Sequence, residues 1–251
     1  MQCENRAMLI PRRGLSSKPN PDKVVEVVHP DGLTRFPTLS SPNGVLRGLD
    51  WFGTIAFASS ATVTAGCCGL DLLGCTIVGT ITAVGGGTLR DLFLGSVPVF
   101  WMVETEYVLM CLVTSVVTFF GWRQLDGILK EDDDILFLAD SIGLGAFCVI
   151  GAQNGIRRGM PTLICIICGL LTATFGGVVR DIICKRPVRI CHSNAEIYGT
   201  TAIAGSTVYM AARGLNFSPA VRIASGVSMA VLARYGARKK GRRLPVWPGV
   251  F

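Results

Sequence analysis

Charged residues are scarce in this chain, since Asp, Glu, Lys and Arg make up only 16% of its 251 residues, against roughly 25% in soluble globular domains. Histidine is rarer still, with 2 residues. Neither His29 nor His192 belongs to a catalytic or metal-binding constellation. The low charge predicts that lipid, rather than water, is the main solvent. We expect no enzyme, no metal centre and no cofactor.

Two further classes of protein are excluded by what the sequence lacks. The 10 cysteines lie mostly inside apolar stretches, without the spacing of a disulfide framework or a zinc site. The net charge of +7 is mostly at the ends of the chain, and no segment interleaves basic and aromatic residues as a nucleic-acid groove does. The chain is therefore expected to bind no nucleic acid.

Long hydrophobic runs are abundant, with 50% of residues apolar. Five runs approach the roughly 20 residues with which a helix crosses a bilayer, and two more polar runs rich in small residues follow. The seven runs are 49–65, 70–89, 97–121, 135–153, 161–179, 195–212 and 217–235. They are too long, and too uniformly apolar, for the strands of a membrane barrel. The sequence predicts an all-α, multi-pass integral membrane protein with seven transmembrane helices.

The chain matches itself without gaps at an offset of 90 residues. Asp50, Gly53, Phe57, Gly69, Cys75, Gly79 and Glu106 meet Asp140, Gly143, Phe147, Gly159, Cys165, Gly169 and Glu196. Each copy contains three spans, an odd number, so the second copy enters the membrane from the opposite side. We predict an inverted 3+3 repeat followed by one further helix.

The repeat divides the chain into five parts. They are a disordered or targeting arm at 1–48, the first repeat at 49–121, an acidic linker at 122–134, the second repeat at 135–213, and a seventh helix with a basic tail at 214–251. The count of basic residues in loops favours a cytoplasmic carboxyl terminus, and leaves open whether the membrane is the plasma membrane or that of an organelle. The tail cluster is foremost a topology signal, and anionic lipids are its candidate partner. Its members are Arg238, Lys239, Lys240, Arg242 and Arg243.

One motif, two or three glycines followed by Arg-Asp, occurs once in each repeat. The candidate substrate-binding or pore residues are Gly85, Gly86, Gly87, Arg90 and Asp91 in the second span, their counterparts Gly176, Gly177, Arg180 and Asp181 in the fifth, and Glu106 with Glu196. The glycines predict either a kinked or unwound helix that offers backbone groups to a ligand, or close packing of two helices.

Ionisable groups at membrane depth need partners. Neighbouring residues on a helix diverge by about 100°, so we expect Arg90 to pair across the repeats, with Asp181 or Asp140, rather than with Asp91. Other polar and aromatic residues receive simpler interpretations. Asp50 and Asp140 are expected to cap helix amino termini. Tyr107 and three tryptophans are expected in the interfacial aromatic belt, namely Trp51, Trp101 and Trp122.

Two segments, GTITAVGGGTLRDLFLGSVPVFW and CGLLTATFGGVVRDIICKRP, resemble the bacterial glycine transporter domain family, formerly an uncharacterised membrane protein family. The resemblance covers about residues 47–215 in two tandem copies. It implies transport of a small amino acid. It also implies a more distant similarity to the trimeric intracellular cation channels, and with it a homotrimer. The long amino-terminal arm and the basic tail depart from the bacterial pattern.

Two functions follow from these expectations. In a glycine transporter, Arg90 or Arg180 would bind the substrate carboxylate, and carbonyls or an acidic group would hold its ammonium. The alternative is a monovalent cation channel for K⁺, whose conduction the two arginines would oppose unless carboxylates pair with them. That conflict favours transport of a small amino acid. A membrane scaffold without flux would leave the buried charges without a role.

Overall fold

The computed structural model describes residues 42–125, 134–191 and 197–241. All regular secondary structure in these three segments is helical. The helices are α1 (Pro42–Cys67), α2 (Leu72–Phe93), α3 (Phe100–Val103), α4 (Glu106–Leu125), α5 (Asp134–Arg157), α6 (Thr162–Ile183), α7 (Gly199–Gly214) and α8 (Pro219–Lys240). Seven of them are long, as predicted, and α3 is a single turn. Residues 42–48, assigned to the arm from sequence, belong to α1.

Three helical segments are long and apolar enough to cross a membrane on length and composition alone: Leu72–Phe93, Leu136–Arg157 and Thr162–Ile183. The apolar part of α4 is shorter, at Glu106–Trp122. The remaining long helices carry more polar residues, several of which face the protein interior. Arg234 of α8, for example, is only 5% exposed. Burial of such groups between helices keeps them away from lipid.

The two repeats pack about a pseudo-twofold axis. Helices α1, α2 and α4 form one bundle, α5, α6 and α7 form the other, and α1 packs on α5 as α2 packs on α6. Equivalent residues meet their own counterparts, as they do at a twofold axis. Phe57 and Phe147 make an edge-to-face contact with ring centroids 5.0 Å apart. A Cβ atom on either Gly53 or Gly143 would lie 3.2 Å from the Cα atom of the other.

The turn after the first helix of each repeat is also shared. Gly69 follows α1 with φ +83°, and Gly159 follows α5 with φ +68°. This left-handed backbone is strained for residues with a Cβ atom and is common just beyond a helix carboxyl terminus. The two glycines reverse the chain into α2 and α6, which carry the paired Arg-Asp motifs.

Helix α8 breaks the twofold symmetry because it packs mainly against the second repeat, on α5 and α7. Its contact with α1 is slight. The second repeat is therefore covered on a face where, within residues 42–125, 134–191 and 197–241, the first repeat has no equivalent helix.

Candidate functional site

The Arg-Asp motifs form two buried ion pairs that are nearly identical in geometry. Arg90 donates from Nε and Nη2 to Asp91 Oδ1 at 3.0 and 2.8 Å, and Arg180 donates in the same way to Asp181 at 2.9 and 2.7 Å. All four residues are at most 5% exposed. The expected pairing across the repeats is therefore wrong. Adjacent Cβ atoms do diverge, but the long arginine side chain reaches back to its neighbour.

The second oxygen of each aspartate fastens the loop that follows the helix. Asp91 Oδ2 accepts a hydrogen bond from the backbone N–H of Phe100 at 2.9 Å, and Asp181 Oδ2 accepts one from Arg189 at 3.1 Å. Each carboxylate is thus bound on one side by a guanidinium and on the other by the backbone. This arrangement satisfies a buried charge within its own repeat.

The paired glycines bring α2 and α6 into backbone contact. A Cβ atom at Gly176 would lie 1.9 Å from the carbonyl oxygen of Thr82, and one at Gly86 would lie 2.3 Å from the carbonyl oxygen of Thr172. Both helices continue without interruption through their glycines, so the expected unwinding is not found. Close packing, the alternative interpretation, describes these two residues.

The other motif glycines have different neighbours. A Cβ atom added to Gly85 would lie 3.7 Å from the Cα atom of Gly176. A Cβ atom added to Gly87 would lie 2.6 Å from the ring of Phe100. Gly177 meets only the Arg180 guanidinium, at 3.8 Å. Of these glycines, Gly87 lines the cavity described next.

A cavity of about 70 Å³ lies between the two repeats, among α1, α2 and the α3–α4 segment of the first and α5 and α6 of the second. Its lining combines both signs of charge with neutral polar groups: Arg47, Asp50, Thr54, Arg90, Asp91, Glu104, Tyr107, Gln153, Asn154, Arg157 and Thr172. Of the sequence-predicted candidates, Gly87, Arg90 and Asp91 line it, whereas Arg180 and Asp181 of the second repeat do not. The symmetric motif therefore has asymmetric surroundings.

Arg47 connects the acidic residues at one side of this cavity. It donates from Nη1 to Glu104 at 3.0 Å and also forms a short contact with Glu106. Glu106 is largely outside the cavity, with its side chain 45% exposed. Glu104, which the sequence analysis did not single out, lines the cavity instead. Glu196, the counterpart of Glu106, lies outside the described residues.

Asp50 and Tyr107 meet inside the cavity. The Tyr107 hydroxyl donates to Asp50 Oδ2 at 2.5 Å, and the tyrosine is 3% exposed. Asp50 lies well inside α1, which begins at Pro42, so the expectation of a helix cap is wrong. Tyr107 is a core residue rather than part of an aromatic belt, because its hydroxyl has a buried carboxylate to bind.

The equivalent aspartate of the second repeat binds a cation from α8. Asp140, also expected to cap a helix, lies inside α5 and accepts a salt bridge from Arg234 at 2.5 Å. The Arg234 guanidinium lies over the rings of Phe137 and Tyr198, at 4.8 and 4.9 Å from their centroids. Arg234 was not among the residues predicted from sequence because it lies outside the repeat. Its spacing of four residues from Arg238 on one helix was the available signal.

The comparison with known proteins identifies the family. The model of the glycine transporter family matches the chain twice, at residues 47–123 and 137–213. The chain belongs to the glycine transporter family. Similar relatives include a UPF0126 membrane protein of Vibrio cholerae, 33% identical over 79% of this chain and 81% of that protein. The inner membrane protein YadS of Escherichia coli K12 is 34% identical over 79% of this chain and 94% of its own length.

Solved structures of cation channels share the fold. The trimeric intracellular cation channel orthologue from Rhodobacter sphaeroides has a TM-score of 0.71 and 36% identity over 79% of this chain and 99% of that chain. A second channel of this group, from a study of conductance through TRIC cation channels, has a TM-score of 0.74 and 32% identity over 80% and 96%. The predicted all-α integral membrane fold is thereby confirmed. The protein is a multi-pass membrane transport protein, of a family that is not an enzyme class.

Proposed function

We propose that the protein transports a small zwitterionic amino acid, with glycine as the simplest candidate, through the cavity between the two repeats. The observation that carries the proposal is the convergence of carboxylates, guanidinium groups and a buried carboxamide on one small space. A zwitterion requires both signs of charge a few ångströms apart. The sequence offered Arg90 and Arg180 as ligands of the substrate carboxylate. Arg90 lines the cavity and remains a candidate, whereas Arg180 does not line it, and residues of α5 take its place in the proposal.

The carboxylate of the substrate is best placed near α5. Gln153 is 2% exposed, its carboxamide is close to the Tyr209 hydroxyl, and its Nε2 has no hydrogen-bond acceptor at bonding geometry among the described residues. Arg157 lies one turn further on, with a hydrogen bond from Nη1 to Asn154 at 3.1 Å. A buried amide donor beside a guanidinium favours an anionic group, since an unused buried donor is costly.

The size of the cavity favours a small solute. One water needs roughly 10–15 Å³ of such space, so about 70 Å³ accommodates roughly five to seven water-sized groups. Glycine has five non-hydrogen atoms. A larger amino acid would require the α3–α4 segment or the Phe100 side chain to move.

A second candidate, conductance of a monovalent cation such as K⁺, is favoured by the two related solved structures, which are TRIC cation channels. Their trimeric state also supports a homotrimer for this chain. The guanidinium groups of Arg47, Arg90 and Arg157 along the cavity weigh against free passage of cations, although Glu104 and Asp91 neutralise two of them.

Two earlier expectations continue as proposals. The basic end of α8 faces the cytoplasm, and it contacts anionic lipid through Lys239 and Lys240. Arg238 is already engaged with Asp134 at 3.2 Å and with the ring of Phe137. Arg242 and Arg243 lie outside the described residues.

Two adjacent arginines, the last residue of α5 and the one after it, provide the test. Arg157 lines the cavity, whereas its neighbour Arg158 is exposed. In proteoliposomes, wild-type protein and Arg158→Gln should take up labelled glycine in a saturable manner, and Arg157→Gln should lose most of that uptake. Potential-driven K⁺ flux is measured in the same vesicles. K⁺ flux without glycine uptake by the wild type would reject the transporter and support the channel.

A further inference from the structure

We infer that Asp50 is the subsite that binds the cationic group of the transported solute, a primary ammonium. This inference rests on the proposed function and specifies which end of the cavity holds which end of the substrate. The protein supplies its own example of the interaction in the second repeat, where the counterpart of Asp50 already holds a cation.

The first step is the internal equivalence of the two sites. Asp50 and Asp140 occupy corresponding positions in α1 and α5, since the two copies of the repeat match at an offset of 90 residues along the sequence. Asp140 holds the Arg234 guanidinium in a buried salt bridge. Asp50 has no salt-bridge partner among the described residues, and it lines the cavity instead. A carboxylate in this position of the repeat can thus bind a cation. Helix α8 supplies that cation to Asp140 in the second repeat and not to Asp50 in the first.

The second step is the distribution of charge around the cavity. Asp91 is paired with Arg90 and Glu104 with Arg47, so both carboxylates already have a guanidinium partner. Asp50 instead binds the neutral hydroxyl of Tyr107, and it takes part in none of the salt bridges among residues 42–125, 134–191 and 197–241. The guanidinium groups of Arg47 and Arg90 act on Asp50 only from beyond salt-bridge distance. An arriving ammonium would be its first directly bound cation and would offset the cost of the buried charge.

The third step is the separation of the two polar ends. Asp50 projects into the cavity from α1, and Gln153 and Arg157 project into it from α5. A zwitterion placed between these helices would direct its ammonium to Asp50 and its carboxylate to the donors on α5. The reverse orientation would place like charges together at both ends.

The experiment compares glycine with glycolate, in which a hydroxyl replaces the ammonium and the carboxylate is unchanged. The purified full-length protein in lipid nanodiscs binds labelled glycine, and unlabelled glycine or glycolate competes. Wild type should prefer glycine by about tenfold or more, the value of one hydrogen-bonded charge. Asp50→Asn should lose about tenfold in glycine affinity and should no longer prefer glycine.

Asp71→Asn is the matched control, because Asp71 caps α2 through the Gly74 N–H at 2.7 Å, outside the cavity, and Asn caps equally well. It should behave as wild type. Equal competition by glycolate and glycine in wild type would overturn the inference even if Asp50→Asn does not fold. A folded Asp50→Asn protein that keeps its preference would overturn it as well. Absence of glycine binding by wild type would instead reject the proposed function itself.

Discussion

The two repeats share a backbone and a motif but differ in what occupies the space beside the equivalent aspartates. In the first repeat, Asp50 borders a cavity of about 70 Å³. In the second, Asp140 is closed over by Arg234, which stacks between Phe137 and Tyr198. The ion pairs of the Arg-Asp motifs have the same geometry in both repeats, so they do not account for the difference. The functional difference lies in the residues around them.

This difference shows what the seventh long helix contributes. An inverted repeat by itself would produce two equivalent polar sites, related by the pseudo-twofold axis. Helix α8 packs mainly against the second repeat and supplies the Arg234 guanidinium to Asp140 there. Among the described residues, the symmetric fold thus has a cavity beside one of its two equivalent aspartates, and α8 covers the other repeat.

The largest expected effect comes from breaking the closed site. Arg234→Gln leaves Asp140 buried without its cation, which should cost about 3–5 kcal/mol and lower the thermal midpoint, measured by size-exclusion chromatography after heating in detergent. Adding Asp140→Asn should recover part of the loss, because the unpaired charge is removed.

Arg47→Gln provides the matching change in stability for the first repeat. Arg47 lies beside the open site, and its side chain is 15% exposed. The midpoint of this variant should fall less than that of Arg234→Gln. Equal losses for Arg47→Gln and Arg234→Gln would contradict the distinction between an open and a closed site.

A smaller loss of stability is expected from substitutions at the contact between α2 and α6. The loss should be of the same kind for the two helices, because the contact is symmetric. Gly176→Ala and Gly86→Ala each place a methyl group against a backbone carbonyl of the opposite helix, at 1.9 and 2.3 Å. Overpacking of this kind costs about 1–3 kcal/mol or more. Gly121→Ala is the matched helical control, because nothing lies within 4 Å of its added Cβ atom. The same thermal assay should show both contact variants below wild type and Gly121→Ala unchanged or slightly raised. Wild-type stability of Gly176→Ala would exclude the close contact.

The smallest expected effect concerns the outer salt bridge of α8. Arg238 meets Asp134, whose side chain is 96% exposed, so the pair should contribute at most about 0.5 kcal/mol. Arg238→Gln should therefore shift the thermal midpoint little, and added salt should reduce the difference further. A loss as large as that of Arg234→Gln would show that the whole basic face of α8, rather than Arg234 alone, closes the second repeat.

Much of the fold was predictable from sequence because twofold packing leaves a mark in the chain. Equivalent positions such as Gly53 and Gly143 contact each other at the axis, so both must hold small residues. The offset of 90 residues therefore predicted the inverted repeat, and the apolar runs predicted seven long helices. The family resemblance, based on the Arg-Asp segments, was confirmed by two matches to the family model.

The site was less predictable because its partners come from outside the motif. The cross-repeat pairing failed because helical angles describe Cβ directions and ignore the reach of an arginine side chain. Tyr107 near the end of a span fitted an aromatic belt equally well, and only the fold places it against Asp50. Arg234 has no counterpart in the repeat, so comparison of the two copies could not reveal it.

The number of glycine molecules bound per protomer tests the account most directly. Equilibrium dialysis of labelled glycine against the purified protein, with protein quantified by amino-acid analysis, would count the sites. We predict one saturable site in the wild type, lost in Arg157→Gln and retained in Arg158→Gln. Two sites per protomer would contradict the closure of the second repeat by Arg234, and none would contradict the transport of glycine.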